Sequence, residues 1–159
     1  MEYLYYAGDD RFGALGVSTS ATQYAPRPVG PLPRLEDAQQ LSEVAAKVEA
    51  SEPLSALEAR IIAGGGSPLG GAKPKALINI DGAQWVIKFF NNESVDAPLV
   101  EHATLRLAAL AGITVAATQV LKLSGLHAVA IRRFDRTVGA GLRFVSHPFV
   151  AGVPGVYLR

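Results

Sequence analysis

The sequence predicts an α+β fold, an antiparallel sheet with helices packed on it, and three observations carry that reading. The first is a hairpin signal: ALINI (76–80), the pair Asp81-Gly82, then AQWVIKFF (83–90). A two-residue Asp-Gly turn accommodates the positive φ angles that tight hairpins need. The second is a pair of strand candidates, TVAATQVLKL (114–123) and HAVAIRRF (127–134), joined by Ser124-Gly125. The third is helical spacing of apolar residues in the segments that flank the hairpin.

Taken in order, residues 1–17 read as a strand, a Gly8-Asp9-Asp10 turn and a second strand. Residues 18–33 carry Pro26, Pro28, Pro31 and Pro33 and read as an extended connector. Leu41, Val44, Ala45 and Val48 then recur at helical spacing. A second short helix is expected from Ser51 as N-cap, with Pro53 near its first turn and Leu54, Leu57 and Ile61 in step, stopping at Gly64–Gly66. In the second strand of the hairpin, Trp85, Ile87 and Phe89 point one way and Val86, Lys88 and Phe90 the other. Residues 96–112 form a helix in this reading, with Asp96 as cap, Pro98 in the first turn and Gly112 as stop. Val100, Ala103, Leu107 and Leu110 are expected to line its buried face.

Composition removes several function classes. The chain has 159 residues, 49% hydrophobic and 18% charged, enough for one domain with a core or two small subdomains. A net charge of +1 implies neither a nucleic-acid surface nor an acidic partner. There is no cysteine, which removes disulfides, zinc-thiolate sites and cysteine nucleophiles, and suits a reducing cytoplasm. The longest apolar runs, such as Leu107–Ala111, are too short to span a bilayer, and no targeting segment is visible. His102, His127 and His147 are widely spaced, so no metal site is expected.

The chemistry centres on GGGSPLGGAKPKALIN (64–79), which packs five glycines and two lysines into one stretch. Gly66 and Gly71 have the separation of a Walker loop, but Ala72, Lys73 and Pro74 follow where that motif needs Lys and then Ser or Thr. A Walker loop is excluded. A protein-kinase-like arrangement fits better: a glycine-rich turn over the phosphates, a strand lysine on the phosphates, and a helix carboxylate that positions the lysine. Gly70-Gly71, Lys75, Lys88 in WVIKFF and Glu101, thirteen residues on, stand in that order. Plainer readings also exist. The glycines can be a linker, Lys88 can snorkel to solvent at a sheet edge, and Glu101 can serve only the helix dipole.

The runs GSPLGGAKPKALI, WVIKFF, EHATLRLAALAGI and IRRFDR, with RFGALGV and LPRLEDA before them, together resemble the HipA-like serine/threonine kinases of bacterial toxin–antitoxin systems. The resemblance implies a kinase-like small lobe plus part of a leading subdomain. The division is a leading β segment and connector (1–33), a helical segment (34–66), the small lobe with its glycine-rich loop and inter-lobe connection (67–136), and the start of a second lobe (137–159). It assigns Gly70, Gly71 and Ala72 to the phosphate-covering loop and Lys75 as its basic residue. Lys88 becomes the strand lysine on ATP, Glu101 its helix partner, and Arg132, Arg133 and Phe134 the connection that holds adenine. ATP and Mg²⁺ are the implied cofactors, with a protein substrate and a HipB-like helix-turn-helix antitoxin as partners. In the family a loop serine can be autophosphorylated. Here Pro68 aligns with it and Ser67, one place earlier, is the candidate phosphosite, unless it is a turn residue bonding its own backbone.

The departures set the expected activity. Phosphoryl transfer needs an Asp to take the hydroxyl proton, and an Asn and a second Asp to hold Mg²⁺. In the family these lie downstream of the FDR motif, whereas this chain has no Asp, Glu or Asn after Asp135. The expectation is therefore a truncated HipA-like kinase in a cytoplasmic setting. It has no catalytic residue in this chain, binds ATP weakly and is inactive alone. The alternative is a regulatory module that associates with a separate catalytic lobe or antitoxin, and the plainest is an α+β domain with a flexible loop.

Overall fold

A computed structural model of the chain describes residues 18–23, 25, 30–65, 73–90 and 93–134. The expected strands in 1–17, residues 66–72 of the glycine-rich stretch and the residues after Phe134 lie outside these. A 3-10 turn, Leu35–Asp37, leads into α1 (Ala38–Glu49), followed by α2 (Ala56–Gly65), β1 (Lys75–Ile80) and β2 (Ala83–Phe89). Then come α3 (Ala97–Leu110), β3 (Thr118–Leu123) and β4 (Leu126–Arg132). The four strands form one antiparallel sheet in the order β1-β2-β4-β3. The α+β class read from the sequence is the class observed.

Both hairpins arise from their turn residues. Asp81 and Gly82 hold φ values of 49° and 78°, the left-handed pair that a two-residue hairpin turn requires. The Asn79 side chain accepts a hydrogen bond from the Gly82 N–H at 3.0 Å and closes the turn. Gly125 supplies the positive φ, 78°, between β3 and β4. That strand pair is shorter than the sequence suggests, since residues 114–117 lie outside β3 and Arg133 and Phe134 lie outside β4.

Strand alternation gives the sheet two different faces. On one, Ala76, Ile78, Ile80, Ile87, Phe89, Ala128 and Ala130 pack against Ala38, Leu41 and Ala45 of α1, with Ile61 of α2 and Trp85 at the margin. Ile78, Ile87 and Phe89 are almost wholly removed from water. Burying a side chain of that size contributes about 1.5–3 kcal/mol, so this layer is the main source of stability. On the other face Leu77 and Val86 pack with Leu32, and α3 lies over β4 and β3.

Three details of the helices differ from the sequence reading. Val48 is exposed, so the buried stripe of α1 ends a turn earlier, at Val44 and Ala45. Ser51 does not cap α2. It takes a left-handed φ of 56° just after α1. The cap is Ser55, whose hydroxyl accepts from the Glu58 N–H (3.3 Å) while the Glu58 carboxylate accepts from the Ser55 N–H (2.8 Å). This reciprocal Ser-x-x-Glu box satisfies two helix-end donors at once, which Ser51 could not do four residues upstream. Accordingly Leu54 precedes the helix and Leu57 is exposed.

The third difference concerns α3. Asp96 caps it, accepting from the Leu99 N–H at 3.3 Å, Pro98 sits in the first turn, and Gly112 follows its end with φ 83°. The face towards the sheet, however, carries Pro98, Glu101, His102, Leu105 and Ala108. Val100, Ala103, Leu107 and Leu110 face outward instead, Leu110 being 80% exposed. Apolar residues occur nearly all round this helix, so periodicity could not choose the side. The choice falls to the polar residues that find partners on the sheet.

Candidate functional site

Register places the two strand lysines together. Lys75 is the ladder partner of Lys88, and Leu77 that of Val86, so all four share the face opposite α1. Lys88 in turn lies beside Val129 of β4. Burial, reinforced by the neighbouring Lys88 charge, pushes the Lys75 ammonium below its ordinary range. Two cations facing one another across a ladder repel, and an anion set between them relieves that repulsion.

Glu101 projects from the first turns of α3 to Lys88. Its Oε1 lies 2.5 Å from Lys88 Nζ, and the two side chains are 28% and 27% exposed. The helix is held in that position at two further points. His102 Nδ1 and Thr118 Oγ1 share a hydrogen bond of 2.8 Å to β3, and Asp96 Oδ2 meets His127 Nδ1 of β4 at 2.5 Å. Asp96 therefore both caps α3 and ties its start to the sheet.

The segment that leads out of the glycine-rich stretch is also anchored. Lys73 pairs with Glu93 in the β2–α3 connection and lies over the Phe90 ring, 5.8 Å from its centroid. The Phe89 N–H donates to the Pro74 carbonyl at 3.0 Å, extending the ladder by one residue.

At the far end of the sheet is the connection Arg132–Phe134. Arg132 ends β4, its N–H donating to the Ala117 carbonyl at 2.8 Å. Arg133 is only 4% exposed. Its backbone N–H donates to the Gln84 carbonyl and its guanidinium to Gln84 Oε1 at 3.3 Å. Phe134 is exposed. Of this trio, Arg133 is thus built into the fold and Phe134 is accessible.

The structure brings Lys75, Lys88 and Glu101 together, with Arg132, Arg133 and Phe134 further along the sheet. Ser67, Gly70, Gly71 and Ala72 lie outside the described residues. Among the described residues no three His, Asp or Glu side chains cluster as a metal site, and no helix is long and apolar enough to cross a membrane. Sequence reasoning missed the Lys73–Glu93 and Asp96–His127 contacts. Their partners stand 20 and 31 residues apart, so only the folded sheet reveals them.

These features define a class: a four-stranded α+β domain with a strand lysine held by a helix glutamate, next to a glycine-rich stretch. The family model described as the HipA-like C-terminal domain matches residues 67–154, more than half of the chain. The chain belongs to the HipA-like family. No curated protein and no solved structure matches it.

Proposed function

We propose that this chain is the nucleotide-gripping lobe of a HipA-like serine/threonine kinase. The observation that carries this reading is the Lys88–Glu101 pair beside Lys75 on one sheet face. In that reading Lys88 and Lys75 neutralise the phosphates of ATP, Glu101 keeps the Lys88 ammonium aimed, and the glycine-rich residues Gly70, Gly71 and Ala72 cover the phosphates with backbone N–H groups. Leu77 and Val86, one ladder step closer to Arg132–Phe134, are buried against Leu32 and make this part of the face apolar. The order from lysines through apolar pair to connection is the order from phosphate to adenine.

Residues 136–159 contain no Asp, Glu or Asn. The family's hydroxyl-activating Asp and its Mg²⁺-holding Asn and Asp therefore have no counterpart after the FDR motif in these residues. Mg²⁺ would arrive with ATP and be held chiefly by its phosphates. The 159 residues grip a nucleotide weakly and transfer no phosphate on their own. Family membership further suggests a cytoplasmic toxin role with a helix-turn-helix antitoxin and a protein substrate, and Ser67 as the loop phosphosite. Isothermal titration with Mg²⁺–ATP tests the core of this. Weak binding that disappears in Lys88→Met is expected, and binding unchanged by that substitution would defeat it.

A second reading has its own observation. The outward stripe Val100, Ala103, Leu107 and Leu110 on α3 is apolar and exposed. Such a stripe suits a regulatory module that packs on a separate catalytic lobe or an antitoxin. Co-purification with either, lost on Leu107→Asp, would favour it. A monomer that captures neither would count against it.

A further inference from the structure

α3 carries Glu101 to Lys88, yet packing does little to seat it. Of its 14 residues Pro98 is the one that is fully buried. Leu99, Val100, Leu107 and Leu110 are all exposed. Apolar contact this sparse gives a helix a side to rest on but fixes neither its height nor its rotation, because such contact makes little directional demand.

Three side-chain ties supply what packing does not, and they reach three neighbouring strands. Glu101 meets Lys88 of β2, Asp96 meets His127 of β4, and His102 meets Thr118 of β3. Lys88, Val129 and Val120 stand side by side across these strands, with His127 two residues before Val129 and Thr118 two before Val120. Alternation puts all three anchors on one face. The antiparallel register sets His127 and Thr118 on opposite sides of that row, so the anchors form a triangle around the fully buried Val129.

On the helix, six residues, about 9 Å, separate Asp96 from His102, and Glu101 lies between them. An ionised carboxylate only accepts, so His127 Nδ1 carries the hydrogen in its bond to Asp96. The other Asp96 oxygen accepts from the Leu99 N–H, so one side chain joins the sheet to the first turn of α3. A shift of about 1 Å is enough to break hydrogen bonds of this kind. Two of them on different strands therefore leave the helix one height and one rotation.

We propose that Asp96–His127 and His102–Thr118 are positioning pairs for the lysine site: they fix the seat of α3, and the Lys88–Glu101 contact keeps its geometry only while they hold. The consequence for nucleotide rests on the reading of Lys88 as a phosphate grip, whereas the positioning itself does not.

The test reads the pair directly in the 159-residue chain, by ¹⁵N NMR of the lysine side-chain ammonium groups. Lys88→Met identifies the Lys88 signal, and Glu101→Gln gives its position without the carboxylate. Thr118→Val keeps the shape of the side chain and removes the hydroxyl, and His127→Ala removes the tie to Asp96. Together they should move the Lys88 signal to its position in Glu101→Gln, with each single variant in between. Thr118→Ser and His127→Asn keep a hydroxyl and an N–H donor in the same places and should retain the parent signal. Ile61→Val trims the packed face without touching a tie, so it should lower the melting temperature and leave the signal where it is. Circular dichroism verifies folding, and the single variants carry the same comparison where the double variant does not fold. An unmoved Lys88 signal in the folded variants overturns the proposal. So does a signal displaced as far by the conservative variants, or by Ile61→Val, as by the removal of the ties. Titration with Mg²⁺–ATP is the second readout, with affinity about tenfold weaker expected in the double variant. Absence of nucleotide binding in the parent chain would defeat the phosphate reading instead, and the ammonium signal would still decide the positioning.

Discussion

The two faces of the sheet are built from alternate residues of the same strands, yet they do different work. Towards α1 the alternation yields Ile78, Ile87 and Phe89, closed off from water and without charge. One residue along, the other face carries Lys75 and Lys88 beside Leu77 and Val86, with Glu101 reaching in from α3. The first face is closed by apolar packing alone, whereas the second joins a small packed group, Leu77 and Val86 with Leu32, to a pairing of charges. Apolar packing contributes stability with little directional demand. A half-buried ion pair contributes little net stability, because desolvation offsets the attraction, but it fixes where two charged groups stand. The contrast predicts that damage to the two faces should separate stability from ligand binding.

The largest effect belongs to the packed face. Phe89→Ala should lower the unfolding free energy by about 3–5 kcal/mol, the range for emptying a buried aromatic site, as read by denaturant titration. Its neighbour in sequence, Lys88, sits on the opposite face. Lys88→Met or Glu101→Gln should cost only about 1–2 kcal/mol, between the values for exposed and fully buried pairs, while removing Mg²⁺–ATP binding. If Lys88→Met destabilised the chain as much as Phe89→Ala, the pair would be a structural element and the division between the faces would fail.

A smaller effect sharpens the comparison at α3. Leu107 and Leu110 look like core residues in sequence but face solvent. Leu107→Ala and Leu110→Ala should each change stability by no more than about 0.5 kcal/mol, the usual range for surface positions. A loss of about 2 kcal/mol or more in thermal or denaturant unfolding, as expected of a buried leucine, would mean that this face is covered in the intact chain.

These cases show how much the sequence could disclose. The hairpin was legible because Asp81-Gly82 is a local instruction, and so was the Lys88–Glu101 pairing, because a strand lysine followed by a helix acid is an ordered pattern in one stretch. The orientation of α3 was not legible. Leucines and alanines surround it, and the deciding contacts, Glu101 to Lys88 and His102 to Thr118, depend on which strands lie beneath. The cap of α2 was missed for a narrower reason. Ser51 and Ser55 are both reasonable caps by residue type, and only Ser55 has a glutamate three residues on to complete the box.

That box sets the smallest and most specific expectation, at the joint between α1 and α2. The Glu58 carboxylate receives a hydrogen bond from Lys47, 2.5 Å away, and others from the Ser55 backbone and hydroxyl, which together hold its pKa at about 2 instead of the ordinary 4.5. Lys47 moves the other way, raised first by its hydrogen bond to Glu58 and then by that carboxylate's charge, and stays charged across the acid range. Because the folded form favours the ionised carboxylate, its contribution is complete above about pH 4.5 and is lost as pH falls towards 2. The difference in melting temperature between the parent chain and Glu58→Gln should therefore be constant near neutrality and shrink across that acid window. A difference that stays flat down to pH 2 would mean that the carboxylate's charge adds nothing at this position, and that the joint depends on the hydrogen-bonded box alone. Since Ile61 of α2 packs at the margin of the closed face, the same titration reports how far that face depends on a charged contact at its edge.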